Sequence, residues 1–261
     1  MSNYQLILFL LVIPFLSSCF DESEVGGASF GTVTGTIIDA QTGAVVATAD
    51  VSIAGYAKYN TIQSGITGSY TMSEAPIGNW VVNATKSGYT EGSANATVRL
   101  YTTTSNVDIP ILKSEYAKNK VVIILTWGLN PTDLDSHLYV PAGPTVEINF
   151  GNLGNIGASP FAALDLDDLV SYGPETTAIA MSSGVGSFSG TYRFWVRNFS
   201  NNTSLTTSGA SVRVYVNGSM DYQFDVPTTG SGRNWHVFDM NGSNLAFTTV
   251  NTLTDAAIAA P

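Results

Sequence analysis

Short apolar segments alternate with glycine-containing turns along most of the chain. The segment Thr32–Ile38 places Val33 and Ile37 on one face between threonines, which is the period of a half-buried strand. Similar segments follow at short intervals, separated by turn residues, and no long helical pattern appears. This spacing predicts an all-β fold built from β-sandwiches.

A polar segment divides the strand pattern into two parts. Residues 113–120 carry three lysines and few apolar side chains, so they are predicted to be a linker between a first domain, 31–112, and a second domain, 121–250. The second domain opens with the apolar run Val121–Trp127, which predicts a buried central strand. Residues 251–261 are small and weakly patterned, and we expect this tail to fray.

The first residues have a different pattern, which predicts export. Leu6–Leu16 is an apolar run of eleven residues, too short to cross a hydrocarbon core of about 30 Å, and it ends in Ser17-Ser18-Cys19. We interpret residues 1–18 as a bacterial lipoprotein signal peptide and Cys19 as the lipidated residue that anchors the protein to a membrane. Residues 19–30 would form an acidic tether. The expected location is the cell envelope, as an outer-membrane lipoprotein facing the periplasm or the cell surface.

Composition narrows the range of partners. The chain has 10 basic and 20 acidic residues and a formal net charge of −10, which argues against nucleic acid as a partner because phosphate binding needs a basic surface. Cys19 is the only cysteine, so the chain forms no internal disulfide. Core packing, with or without a bound metal, must therefore stabilise the fold.

Acidic residues are concentrated in one part of the second domain. Between Lys120 and Arg193 the sequence has no lysine or arginine but has seven carboxylates. The six that we assign to a candidate metal site are Asp133, Asp135, Asp165, Asp167, Asp168 and Glu175. In extended chain, residues two apart share a face, so Asp133 would align with Asp135, and Asp165 with Asp167. The turn at Gly173-Pro174 would bring Glu175 back towards them. Hard oxygen ligands without cysteine favour Ca²⁺ over a transition metal.

Two other interpretations of these carboxylates remain open at the level of sequence. Aspartates at strand ends also cap turns by accepting backbone N–H groups, which needs no metal. A pair such as Asp135 and Glu175 would be a catalytic pair if it stood roughly 5 to 10 Å apart across a cleft, as in a glycoside hydrolase.

Two families resemble parts of the chain. Gly35, Asp39, Thr67-Gly68-Ser69-Tyr70 and Pro76-Ile77-Gly78 resemble the carboxypeptidase regulatory-like domain, which implies a small immunoglobulin-like or transthyretin-like sandwich without catalytic function. The second domain resembles the YfaP family of uncharacterised bacterial secreted proteins over roughly residues 119 to 250. The residues that carry this resemblance are Leu125-Thr126-Trp127-Gly128, Asp133-Leu134-Asp135-Ser136-His137, Ala163-Leu164-Asp165-Leu166-Asp167 and Tyr172-Gly173-Pro174-Glu175-Thr176. That resemblance implies an exported β-sandwich with no established reaction.

Together these observations predict a lipid-anchored, noncatalytic binding or adhesion-type protein of the bacterial cell envelope, with a calcium site in its second domain. The candidate partners are a carbohydrate or another envelope protein. The alternatives are a hydrolase that acts on envelope or extracellular polysaccharide and a structural spacer.

Overall fold

The computed structural model describes residues 29–56, 61–181 and 190–261. These residues form two β-sandwiches, so the predicted all-β fold is confirmed. The predicted signal peptide, Cys19 and most of the acidic tether lie outside the described residues. Within the described ranges, none of the helices has the length and the hydrophobicity that a membrane crossing requires.

The first sandwich contains eight short strands in two sheets. They are β1 (Phe30–Asp39), β2 (Asp50–Ile53), β3 (Ile62–Gln63), β4 (Ser69–Pro76), β5 (Gly78–Thr85), β6 (Gly92–Val98), β7 (Thr103–Thr104) and β8 (Ile109–Ile111). One sheet has the order β4-β1-β7 with β8 also beside β1, and the other has the order β3-β2-β5-β6. Val33 and Ile37 of β1 point into the core between the sheets, as their alternation predicts.

The second sandwich contains eleven strands. They are β9 (Lys120–Thr126), β10 (Leu134–Val140), β11 (Val146–Ile148), β12 (Gly154–Asn155), β13 (Ala162–Leu166), β14 (Glu175–Ala180), β15 (Thr191–Asn198), β16 (Ser211–Val216), β17 (Ser219–Asp225), β18 (Asn234–Asn241) and β19 (Phe247–Thr254). A five-stranded sheet has the order β11-β10-β15-β18-β19 and a six-stranded sheet has the order β12-β13-β14-β9-β16-β17. Their facing sides bury the aromatic side chains of Tyr192, Phe194, Trp235 and Phe238.

The outer face of the six-stranded sheet is covered by the first sandwich. Val122 and Ile124 of β9 pack with Tyr215 of β16 against Ala40 and Leu112 of the first sandwich. Strand β9 is therefore central and buried on both faces, as its unbroken apolar run predicts.

The predicted linker is a packed joint between the sandwiches. It contains a short helix, α1 (Ser114–Ala117), with Ala117 buried at the interface. Lys113 Nζ lies 3.1 Å from a carboxylate oxygen of Asp39, and the hydroxyl of Tyr116 donates a hydrogen bond to the carboxylate of Asp165. These contacts connect the linker to both sandwiches.

The C-terminal segment is more ordered than its composition predicts. Strand β19 extends to Thr254, inside the segment expected to fray, and the residues after it cross the outer face of the five-stranded sheet. Side chains hold its backbone there: Tyr139 Oη donates to the carbonyl of Ile258 (3.1 Å), and Arg193 Nη1 donates to that of Ala259 (2.8 Å). Every residue has a backbone carbonyl, so the side-chain pattern of the tail could not indicate that these hydrogen bonds form.

Candidate metal site

Three carboxylates from three separate chain segments meet at one end of the second sandwich. Asp135 lies on β10, Asp167 directly follows β13, and Glu175 is the first residue of β14. Strands β10 and β14 belong to opposite sheets, so the cluster bridges the two layers. The sequence expectation that the Gly173-Pro174 turn returns Glu175 to the aspartates is confirmed.

Glu175 lies against a part of β10 that has no neighbouring strand on one side. Strand β11 pairs with β10 only at Leu138–Val140, so the preceding residues of β10 have no strand neighbour on that side. The backbone N–H of Ser136 donates instead to Glu175 Oε2, at 2.5 Å. The carboxylate thus satisfies an edge amide that would otherwise lack a partner.

One carboxylate oxygen from each of Asp135, Asp167 and Glu175 lies within 4.8 Å of those of the other two. Glu175 has no exposed surface and Asp135 is 3% exposed, whereas Asp167 is more exposed. Four carboxylate oxygens, Asp133 Oδ1, Asp135 Oδ2, Asp167 Oδ1 and Glu175 Oε1, are buried without a hydrogen-bond partner among the described residues. Because an unpaired buried oxygen of an ionised carboxylate is costly, the cluster requires protons or a cation.

The electrostatics agree with that requirement. Burial raises the pKa of Glu175 well above its ordinary value. Burial, and then the charges of Asp133 and Asp167, raise the pKa of Asp135 to about 7, while Arg197 on the neighbouring strand acts in the opposite direction. Without a cation, the folded protein therefore holds protons here near neutral pH. A cation would replace them and let the carboxylates ionise.

The other predicted ligands have different positions. Asp133 precedes β10, and burial followed by the charges of Asp167 and Asp168 raises its pKa, which places it beside the three-residue cluster. Asp168 accepts a hydrogen bond from the backbone N–H of Val170 (2.8 Å), so this residue caps a turn.

Asp165 does not join the cluster, and its expected alignment with Asp167 is wrong. A bulge between Leu164 and Leu166 breaks the alternation, and the Asp165 carboxylate bonds to Tyr116 at the domain joint.

A cleft of about 500 Å³ lies on the outer face of the five-stranded sheet. His137 and Tyr139 of β10 line it with Trp195 and Arg197 of β15, and the C-terminal segment forms part of its wall. In the sequence, His137 stands out as a potential ligand that would share a face with Asp133 and Asp135 in extended chain, but the structure pairs it with Glu147 instead, and nothing marks Trp195. The alternation in β10 and β15 could have indicated that the four side chains lie on the outer face of the sheet. Only the structure shows that His137 and Trp195 are directly opposite each other on the two strands.

No protein-family model matches the sequence, and no match to a curated protein was found. Among solved structures, a protein of unknown function is 14% identical, with 54% of this chain and 92% of that chain covered and a TM-score of 0.41. A proposed carbohydrate-binding protein from Bacteroides uniformis is 13% identical, with coverage of 76% and 99% and a TM-score of 0.27. The major pilin subunit BcpA of Bacillus cereus is also 13% identical, with coverage of 77% and 70% and a TM-score of 0.26. These TM-scores are all below 0.5, so none of the similarities assigns a ligand or a function to this chain.

Proposed function

We propose that this chain is an exported, lipid-anchored and noncatalytic binding protein of the bacterial cell envelope, whose second sandwich holds a calcium ion. The observation that carries the calcium site is the set of four buried, unpartnered oxygens on four different carboxylates. Asp135, Asp167 and Glu175 are the central ligands, and Asp133 is the next in reach.

The chemistry of the cluster favours calcium. Its central members offer only carboxylate oxygens, and a hard oxygen set suits Ca²⁺ or Mg²⁺ better than Zn²⁺. A cation with bonds of about 2.4 Å contacts oxygens that lie within 4.8 Å of one another. Ca²⁺ accepts irregular sets of six to eight oxygens, whereas Mg²⁺ usually keeps several waters, for which the fully buried Glu175 leaves little room.

Export and lipidation are supported by the apolar run Leu6–Leu16 and by Cys19. If Cys19 is the anchor, cells fed a labelled fatty acid will incorporate the label into the protein, and Cys19→Ala will abolish incorporation. Label retained in that variant would place the anchor elsewhere.

A binding role has more support than the hydrolase or the spacer. A polysaccharide needs access to both carboxyl groups of a catalytic pair, and Glu175 is fully buried in contact with the Ser136 backbone. A spacer needs no ligand cleft, yet the second sandwich has one beside the carboxylates. The sequence resemblance to the noncatalytic carboxypeptidase regulatory-like domain and to the exported YfaP family also favours a binding role over catalysis.

The test of the calcium site is thermal unfolding of the full chain in calcium and in excess chelator. Extracellular calcium sites often have dissociation constants of about 10⁻⁴ to 10⁻³ M, and stabilisation reaches about 2.7 kcal/mol when free calcium is a hundredfold above the dissociation constant. We expect a higher unfolding midpoint in calcium. The double variant Asp135→Asn/Asp167→Asn should lose this shift, with no loss of stability in chelator because it also removes the repulsion.

The matched control is Asp221→Asn, an exposed aspartate far from the cluster in sequence, which should keep the full calcium shift. A wild-type protein with the same midpoint in calcium and in chelator would leave turn capping as the role of these aspartates.

A further inference from the structure

The cleft on the five-stranded sheet has a rigid aromatic floor. The rings of His137 and Trp195 stack with centroids 3.8 Å apart and an interplanar angle of 17°. His137 Nδ1 lies 2.8 Å from Glu147 Oε1, which fixes the orientation of the imidazole. His137 Nε2 and Trp195 Nε1 are buried and have no hydrogen-bond partner among the described residues. The floor is therefore held in place and retains unused hydrogen-bonding capacity.

Of the four charged side chains that line the cleft besides His137, which are those of Arg197, Arg233, Glu147 and Asp255, only that of Arg197 has no partner among the described residues. The side chain of Arg197 is exposed and makes no hydrogen bond or ion pair with the described residues, although its charge acts on Asp135 and His137. The acidic side chains of the lining already have partners: Glu147 bonds to His137, and Asp255 accepts the backbone N–H of Arg233 (3.0 Å). A guanidinium that is available in this way is suited to a carboxylate, which it binds through two parallel hydrogen bonds.

The rest of the lining suits a polyhydroxylated ring. Tyr139 and Phe150 provide aromatic surface, with Phe150 48% exposed and packed edge-to-face against Phe199. Asn149 Oδ1 already accepts the backbone N–H groups of Gly151 and Asn152, and Asn234 Nδ2 donates to the carbonyl of Ala256. The amide nitrogen of Asn149 and the amide oxygen of Asn234 remain as the donor and the acceptor that these side chains add to the lining. A volume of about 500 Å³ is within the range of small-molecule sites.

We infer that this cleft binds an acidic saccharide, with Arg197 on its carboxylate and the aromatic side chains against its ring. This inference names a ligand class for the proposed binding function but does not depend on the calcium ion. The cleft is lined by His137 and Tyr139 of β10, by Trp195 and Arg197 of β15 and by the C-terminal segment, whereas the metal cluster lies at the neighbouring end of the sandwich, where Asp135 is the cross-strand neighbour of Arg197.

The test is a titration of the isotope-labelled full chain, followed by nuclear magnetic resonance, with methyl β-D-glucuronide, methyl β-D-glucoside and acetate as probes. Working in calcium-free buffer prevents the probe carboxylate from bridging to a bound cation. We expect the glucuronide to shift the Trp195 indole signal and to bind more tightly than either of the other probes. Arg197→Gln should weaken glucuronide binding by about tenfold or more, as expected for a charge-assisted contact. Arg99→Gln, a change at an exposed arginine of the first sandwich, should have no effect.

The outcomes separate the two proposals. Equal binding of glucuronide and glucoside, equal binding of glucuronide and acetate, or no binding of any probe would each overturn the assignment of an acidic saccharide, whatever the calcium result. Glucuronide binding without any calcium-induced change in unfolding would remove the ion and leave this cleft assigned.

Discussion

The protonation of the carboxylate cluster predicts an inverse dependence of stability on pH when calcium is absent. In the folded protein, burial and the charges of Asp133 and Asp167 raise the pKa of Asp135 from 3.8 to about 7. Because this pKa is higher in the folded than in the unfolded protein, protonation of Asp135 stabilises the fold. That stabilisation is fully present below the unfolded-state pKa, near 4, and is lost as the pH rises through the folded-state pKa of about 7. The whole change is about 4 kcal/mol at 1.36 kcal/mol per pKa unit, and about 2–3 kcal/mol of it falls between pH 5 and pH 8.

The assay is urea unfolding of the full chain, monitored by tryptophan fluorescence at intervals from pH 5 to pH 8. In calcium-free buffer we expect the free energy of unfolding to decrease across this range, since the pKa of Glu175 is raised as well and acts with the same sign. Burial lowers the pKa of His137, which acts with the opposite sign below its unfolded value near 6.5 and offsets part of the decrease there. Calcium should flatten the decrease, because the ion stabilises the ionised carboxylates and binds more tightly as they lose their protons.

The variant Asp135→Asn should also flatten the calcium-free profile, since it removes one of the titrating groups. A wild-type stability that rises from pH 5 to pH 8 without calcium, or a slope that Asp135→Asn leaves unchanged, would refute the reasoning.

Three further predictions concern the turn before Glu175 and the contact between Tyr116 and Asp165, and all are measured by denaturant unfolding, the last of them with and without calcium. Gly173→Ala should destabilise the protein by about 2–5 kcal/mol, because φ of Gly173 is +73° and a Cβ there would lie 2.7 Å from the Trp127 ring. The control is Gly88→Ala, where φ is +83° but no atom lies within 4 Å of the added Cβ, and it should cost only about 1–2 kcal/mol. Tyr116→Phe should cost about 1–3 kcal/mol, because the half-buried Asp165 carboxylate loses its donor. Asp165→Asn should retain the full calcium-induced shift, and loss of that shift would return Asp165 to the metal site.

The fold was predictable where local pattern and burial agree. The alternation in β1 and the apolar run of β9 each indicate how many faces of the strand are buried. The sequence does not reveal what covers the outer face of β9. The polar linker is part of that covering, because Ala117 is buried there and Lys113 and Tyr116 contact partners distant in sequence.

The candidate site was predictable in part. Asp135, Asp167 and Glu175 could be found from the concentration of acidic residues without basic neighbours and from the turn before Glu175. The error at Asp165 came from assuming unbroken alternation, which one bulge removes. The cleft could not be assembled from the sequence, because the pairing of His137 with Trp195 depends on strand register and the wall includes backbone of the C-terminal segment.

The shared interface between the sandwiches constrains how this chain can be cut or recombined. A fragment that begins at Lys120 would leave Val122, Ile124 and Tyr215 without their apolar cover, and exposed apolar patches of this kind promote aggregation. We therefore expect the second sandwich to stay soluble only in a fragment that also contains the first sandwich.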